Sequence, residues 1–208
     1  MKILSRFAAA FVLLLCLTAL LTPVSAAEKF TDVPSDAFYA EAVAWAVEKG
    51  VTTGTSETTF SPEKDCTRAQ VVTFLWRASG SPEPKSSDDP FTDVKEADYC
   101  YKAVLWAVEK GITTGASKTT FAPGKYCTRG QIVTFLWRYK GSPEPKSSKN
   151  PFSDVSKSAF YYKAVLWAVE NKITSGTGSG KFSPDNTCTR GQVVTFLYRA
   201  TEDSATEK

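Results

Sequence analysis

The chain has 208 residues, of which 25 are basic and 22 acidic, and it has no histidine. That near-balance leaves no basic field to draw it onto nucleic acid or an anionic membrane surface. The missing histidine removes the usual base for a serine or cysteine nucleophile and the commonest zinc ligand. Lys2 and Arg6 account for most of the excess charge; without them 23 basic residues face 22 acidic ones.

Those two cations open a leader-like stretch. Phe7 to Leu21 form an almost unbroken apolar run, followed by "VSA" at Val24 to Ala26, with small residues at both cleavage-recognition positions. The run is shorter than the roughly 20 residues a membrane helix needs. Cys16 lacks the small residues that usually precede a lipidated cysteine. The reading is a signal peptide over 1–26 that is cleaved rather than retained, an exported mature chain starting near Ala27, and no membrane attachment after cleavage.

Beyond it the chain says the same thing three times. "CTRAQVVTFLWR" (Cys66–Arg77) returns as "CTRGQIVTFLWR" (Cys127–Arg138) and as "CTRGQVVTFLYR" (Cys188–Arg199), 61 residues apart each time. The unit boundaries are read as 27–84, 85–145 and 146–203, with a polar tail at 204–208 and no fourth unit. In each unit a first helix is expected, from about Phe38 to Lys49 in the first. Tyr39, Ala42, Val43, Ala46 and Val47 lie there at helical spacing. Lys49-Gly50 supplies a cation and a left-handed stop. In the third unit Lys172 replaces that glycine, so Asn171 is expected to supply the left-handed residue. A Gly- and Pro-punctuated loop with one short extended stretch follows.

The second helix is signalled more sharply. Thr67 is a good N-cap, and Gln70 three positions on can reach back to the cap N–H, a capping box. Thr128 with Gln131 and Thr189 with Gln192 repeat it. Cys66 before the cap and Val71 after it have the spacing of a hydrophobic staple. The connectors "SGSPEPKSSDDP" and "KGSPEPKSSKNP" read as short, semi-stiff straps.

The order F-x-D-V, aromatic-rich helix, T-x-G loop, T-F-x-P segment and T-R-A/G-Q helix start resembles the S-layer homology domain, in three tandem copies covering essentially the whole mature chain. The resemblance implies a mainly α fold in which three helix–loop–helix repeats form a pseudo-threefold assembly around a central helical bundle, with grooves between neighbours. It also implies binding of acidic secondary cell-wall polysaccharide, often through a pyruvylated amino sugar, at the bacterial cell wall or S-layer surface. By that resemblance the glycan-binding candidates are Arg68, Arg129 and Arg190, with the nearby Asp32, Asp93 and Asp154 and the loop glycines Gly54, Gly115 and Gly176. The family motif usually ends in Glu; Gln70, Gln131 and Gln192 keep the capping geometry but remove a negative charge beside the arginine. The pyruvylated ligand is therefore one option and another acidic wall glycan a second.

Physical chemistry leaves alternatives open for each candidate. A guanidinium in the first turn of a helix gathers with free N–H groups and suits a carboxylate, or it pairs internally with the F-x-D-V aspartates. Those aspartates are turn residues or acceptors of sugar hydroxyls. Trp45, Trp106 and Trp167 read as core before they read as sugar platforms. No carboxylate cluster has calcium-loop spacing; no metal, cofactor or catalytic residue is expected, and no enzyme. Of the four mature cysteines, Cys66, Cys127 and Cys188 are staple residues expected to stay free. Cys100 stands where the other units have Tyr39 and Tyr161, and Cys100 with Cys127 is the first guess should a bond form. Besides the polysaccharide, the partners considered are S-layer or other envelope proteins, or further copies of the chain. A structural role through such contacts is the alternative function.

Overall fold

The computed structural model describes residues 29–202, so the leader at 1–26, the start of the mature chain and the tail at 204–208 lie outside the described residues. The named helices among the described residues are, in chain order, α1 (Ala40–Glu48), α2 (Arg68–Ala78), α3 (Tyr101–Glu109), α4 (Arg129–Tyr139), α5 (Tyr162–Glu170) and α6 (Arg190–Glu202). The first helix of each repeat starts about two residues later than the periodicity suggests, after Tyr39, Cys100 or Tyr161, none of which makes a side-chain cap. The second helix starts where the capping box places it. Thr67 Oγ1 accepts from Gln70 N–H and Gln70 Oε1 accepts from Thr67 N–H. The Thr128–Gln131 and Thr189–Gln192 pairs do the same.

The helices pack between repeats. The second helices α2, α4 and α6 meet one another as the central bundle, and α3 lies on α2, α5 on α4, and α1 on α6. Each first helix thus covers the second helix of the preceding repeat, and α1 closes the ring. The axis is held by main chain as well: Cys127 N–H donates to Cys66 C=O (2.9 Å), Cys188 N–H to Cys127 C=O (3.2 Å), and Cys66 N–H to Cys188 C=O (2.9 Å). The extended stretches of the three loops form bridges from one repeat to another, Thr67 with Tyr126, Thr128 with Thr187, and Asp65 with Thr189. All four cysteines of the described chain are buried and free. Burial pushes the Cys66 thiol up to about 12 and the Cys188 thiol up to about 11, so both stay protonated and serve as small apolar residues.

Two sequence departures are explained by the ring. A Cβ on Gly130 would sit 2.8 Å from the Tyr161 ring, and one on Gly191 would sit 2.8 Å from the Tyr39 ring. Where the second helix carries Ala69, the facing position in the next repeat carries the smaller Cys100. Small residue and large ring trade volume across each seam. The second departure marks the closure. Trp76 and Trp137 donate their indole N–H to Pro82 and Pro143 C=O in the connectors, both at 2.8 Å. Lys102 and Lys163 bond to Glu83 and Glu144 of the same straps. No connector joins α6 to α1. There Tyr198 replaces the tryptophan and donates its hydroxyl to Glu41 (2.7 Å), which stands where the lysines do.

One stop differs from expectation. Lys172 itself takes the left-handed conformation (φ 55°), while Asn171 stays at φ −91° as C-cap. Lys172 N–H donates to Val169 C=O and the next residue to Ala168 C=O, so the turn's hydrogen bonds hold the left-handed backbone there although Lys172 carries a Cβ.

Candidate functional site

The loops that follow the first helices are built around the F-x-D-V aspartates. Asp32 accepts from Phe60 and Ser61 N–H (2.8 and 2.7 Å), Asp93 from Phe121 and Ala122 (both 2.8 Å), and Asp154 from Phe182 and Ser183 (both 2.9 Å). The second residue of each pair sits at positive φ, between 56° and 60°, a conformation that needs such a clamp. The glycines close the other side of the loop. A Cβ on Gly54 (φ +99°) would stand 2.6 Å from the Phe30 ring and from the Ser56 and Thr59 carbonyls; Gly115 and Gly176 are in the same position. Aspartate and glycine therefore shape the T-F-x-P segment that each arginine meets.

Those meetings are again between repeats. Arg68 Nε donates to Phe121 C=O (2.9 Å), Arg129 Nε to Phe182 C=O (2.8 Å), and Arg190 Nε to Phe60 C=O (2.9 Å). Each guanidinium stands over two rings of the repeat it reaches: Phe121 and Phe135 for Arg68, Phe182 and Phe196 for Arg129, Phe60 and Phe74 for Arg190, at 4.8–5.4 Å. Desolvation lowers the pKa of Arg68 and Arg190, yet a guanidinium keeps its charge at neutral pH. No arginine forms an ion pair with an aspartate among the described residues; the ion pairs there join lysines to glutamates.

The helix starts are not open anion sites. Arg68 and Ala69 N–H donate to Lys125 and Pro123 C=O, Arg129 and Gly130 to Asn186 and Pro184, and Arg190 and Gly191 to Lys64 and Pro62. With the third amide taken by the capping threonine, the free N–H groups expected at each helix start are spent on the neighbouring repeat. A carboxylate has to be held by side chains.

Side chains from three repeats provide a place. A groove of about 450 Å³ is lined by Arg68 of the first repeat, by Thr113, Gly115, Lys125, Tyr126, Gln131, Thr134, Phe135 and Arg138 of the second, and by Phe160 of the third. A threefold-related groove of about 200 Å³ is lined by Arg190, by Thr52, Gly54, Gln70, Thr73, Phe74 and Arg77, and by Tyr99. The glutamine in each groove is the neighbour's: Gln131, not Gln70, lies 3.4 Å from Arg68. The aspartates line neither groove.

Two groove features escape a reading of the motifs. The second arginine of the block, Arg77, Arg138 or Arg199, is tied to its own repeat's loop by Nη1 bonds to Val51, Ile112 and Ile173 C=O. Arg77 and Arg138 line the grooves. Both arginines of the repeated twelve residues were in view; only the ring topology brings Arg68 and Arg138 together. Phe38, Tyr99 and Phe160 are 63–64% exposed, an outward aromatic at the same position of every repeat. By contrast Trp45, Trp106 and Trp167 are core.

The clamp predicts an acid response. Burial alone would raise the Asp154 carboxyl, but the Phe182 and Ser183 amides outweigh it and hold the pKa below the ordinary value. A group depressed on folding contributes stability that is present above its unfolded pKa and lost as pH falls through the folded one. Asp154→Asn is therefore expected to melt below the wild type at neutral pH, with the gap closing below about pH 4. Melting curves from pH 7 to pH 2 check this; a constant gap would contradict it.

A family model described as S-layer homology domain matches residues 29–72, 90–133 and 151–194. The chain is similar to an endoglucanase of Bacillus sp. (strain KSM-635), 34% identical over 181 residues that cover 82% of this chain and 19% of that protein. It is similar to the surface-layer 125 kDa protein of Lysinibacillus sphaericus, 30% identical over 95% of this chain and 17% of that protein. An S-layer protein of Bacillus thuringiensis subsp. finitimus is 27% identical over 89% of this chain and 23% of its own length. The chain spans less than a quarter of each of these relatives.

Proposed function

The chain belongs to the S-layer homology domain family, and on that premise we propose that it holds onto the bacterial cell wall by binding an acidic secondary cell-wall polysaccharide in the grooves between repeats. A cell-wall or S-layer-associated role at the cell surface follows from the family and from the S-layer relatives. The glycan reading is supported above all by the grooves themselves: two arginines from different repeats, an amide and hydroxyls converge beside an exposed aromatic ring. Paired guanidinium donors suit a carboxylate, and threonine, glutamine and an aromatic face suit sugar hydroxyls and ring faces. The work is recognition, with no catalytic step. Export behind a cleaved leader is part of the proposal.

The test uses the mature chain on isolated Gram-positive cell-wall sacculi, before and after mild acid removal of ketal-linked pyruvate. Loss of a charged hydrogen bond costs about 1.5–3 kcal/mol, so binding is expected to weaken by roughly 10- to 100-fold. Undiminished binding after pyruvate removal, and again after the polysaccharide is stripped, would instead favour attachment through envelope proteins.

A further inference from the structure

The two grooves place arginines at equivalent positions but differ in the rest of their lining. The loop beside the groove at Arg68, from the repeat that arginine reaches, reads Gly124-Lys125-Tyr126. The equivalent loops of repeats 1 and 3 read Glu63-Lys64-Asp65 and Asp185-Asn186-Thr187, and the former does not line the groove at Arg190. The first of these loops is net positive and the other two are net negative. Lys125 and Tyr126 are exposed and line the first groove. Tyr126, 56% exposed, gives that groove a second outward ring beside Phe160, where the other loops have Asp65 and Thr187. Arg68, 5% exposed, lines the same groove, and its Nη2 is the one buried side-chain nitrogen or oxygen with no hydrogen-bond partner among the described residues. At the seam between repeats 2 and 3, the corresponding Nη2 of Arg129 is 3.4 Å from Thr174 Oγ1.

An unsatisfied buried donor costs stability unless something fills it. We propose that the groove between repeats 1 and 2 is the tight anionic-sugar site of the three, with Arg68 supplying a donor held ready for a carboxylate oxygen, Lys125 the local field, and Tyr126 and Phe160 the faces against the sugar. Beside Arg190 and Arg129 the equivalent loops carry net negative charge and supply no second ring, so the same anion is held weakly there. This ranking rests on the glycan reading above, and it specifies a single dominant site where threefold repetition suggests three equal ones.

Exposed rim residues allow a test that leaves the buried arginines and the fold untouched. Lys125→Glu, Lys64→Glu and Asn186→Glu are made in the mature chain and titrated calorimetrically with the methyl glycoside of a pyruvyl-ketal N-acetylhexosamine. Melting midpoints are checked to be equal. Lys125→Glu is expected to weaken binding roughly fivefold at low salt, the scale of reversing one charge near a surface site, while the other two stay within about twofold. Tyr126→Ala is expected to weaken it without changing its salt dependence. An equal or larger loss in Lys64→Glu or Asn186→Glu overturns the ranking and leaves the glycan reading standing. Failure of the wild type to bind the glycoside overturns both.

Discussion

Phe121→Ala is expected to lower stability by about 3–5 kcal/mol, a fall of roughly 10 °C or more in the melting midpoint of a chain this size. The ring is fully buried and packs against Phe91 at 5.8 Å and beneath the Arg68 guanidinium at 4.8 Å. Truncation opens a cavity and also strips one face from a buried cation of the preceding repeat, so the damage crosses the seam. Phe38→Ala serves as the comparison. Phe38 is as aromatic but 63% exposed, and its loss is expected to change stability by no more than about 0.5 kcal/mol. Thermal melts of the two variants decide it; similar midpoints would mean that the T-F-x-P phenylalanines do not carry the contact between repeats. The same burial governs what variants of the arginines report. Removing one costs a bond to the neighbour's carbonyl and its stacking on two rings, so alanine variants at Arg68, Arg129 or Arg190 report folding as well as binding.

The sequence showed the local elements well because their signals are local. Thr67 and Gln70 lie three residues apart, and their capping box needs nothing from the rest of the chain. The ring was harder to read for a physical reason. In a chain repeated every 61 residues, a contact inside one repeat and the same contact made with the next repeat have identical residue types, so pattern alone cannot say which is formed. Only departures from the repeat break that degeneracy. Ala69 with Cys100, Gly130 with Tyr161 and Gly191 with Tyr39 match small to large only when each second helix faces the next repeat's first helix; pairing within repeats would set Ala69 against Tyr39 and Gly130 against Cys100. Tyr198 and Glu41 likewise depart together because they meet at the one seam without a connector. The arginine pairing was hidden for the same reason. Arg68 and Arg138 are 70 residues apart in the chain, and nothing in either motif points at the other. The free helix-start amides were a local expectation that the ring overrode, since the next repeat's loop carbonyls occupy them.

The most direct measurement is the melting behaviour of residues 27–145, repeats 1 and 2 without the third. The account holds that every repeat is completed by its neighbours around a closed ring. Removing repeat 3 takes α6 from the central bundle and uncovers the face of α1 that packs on it. It also takes from Arg129 the Phe182 carbonyl and the Phe182 and Phe196 rings, and from Phe60 C=O its Arg190 partner. An open array of repeats would lose only a share of its stability, because each unit there touches only its immediate neighbours. The closed ring predicts that the two-repeat chain has no cooperative thermal transition. It also predicts no glycoside binding, even though Arg68, Lys125, Gln131 and Arg138 are all still present. A cooperative transition near the midpoint of the full chain, with binding retained, would contradict the account.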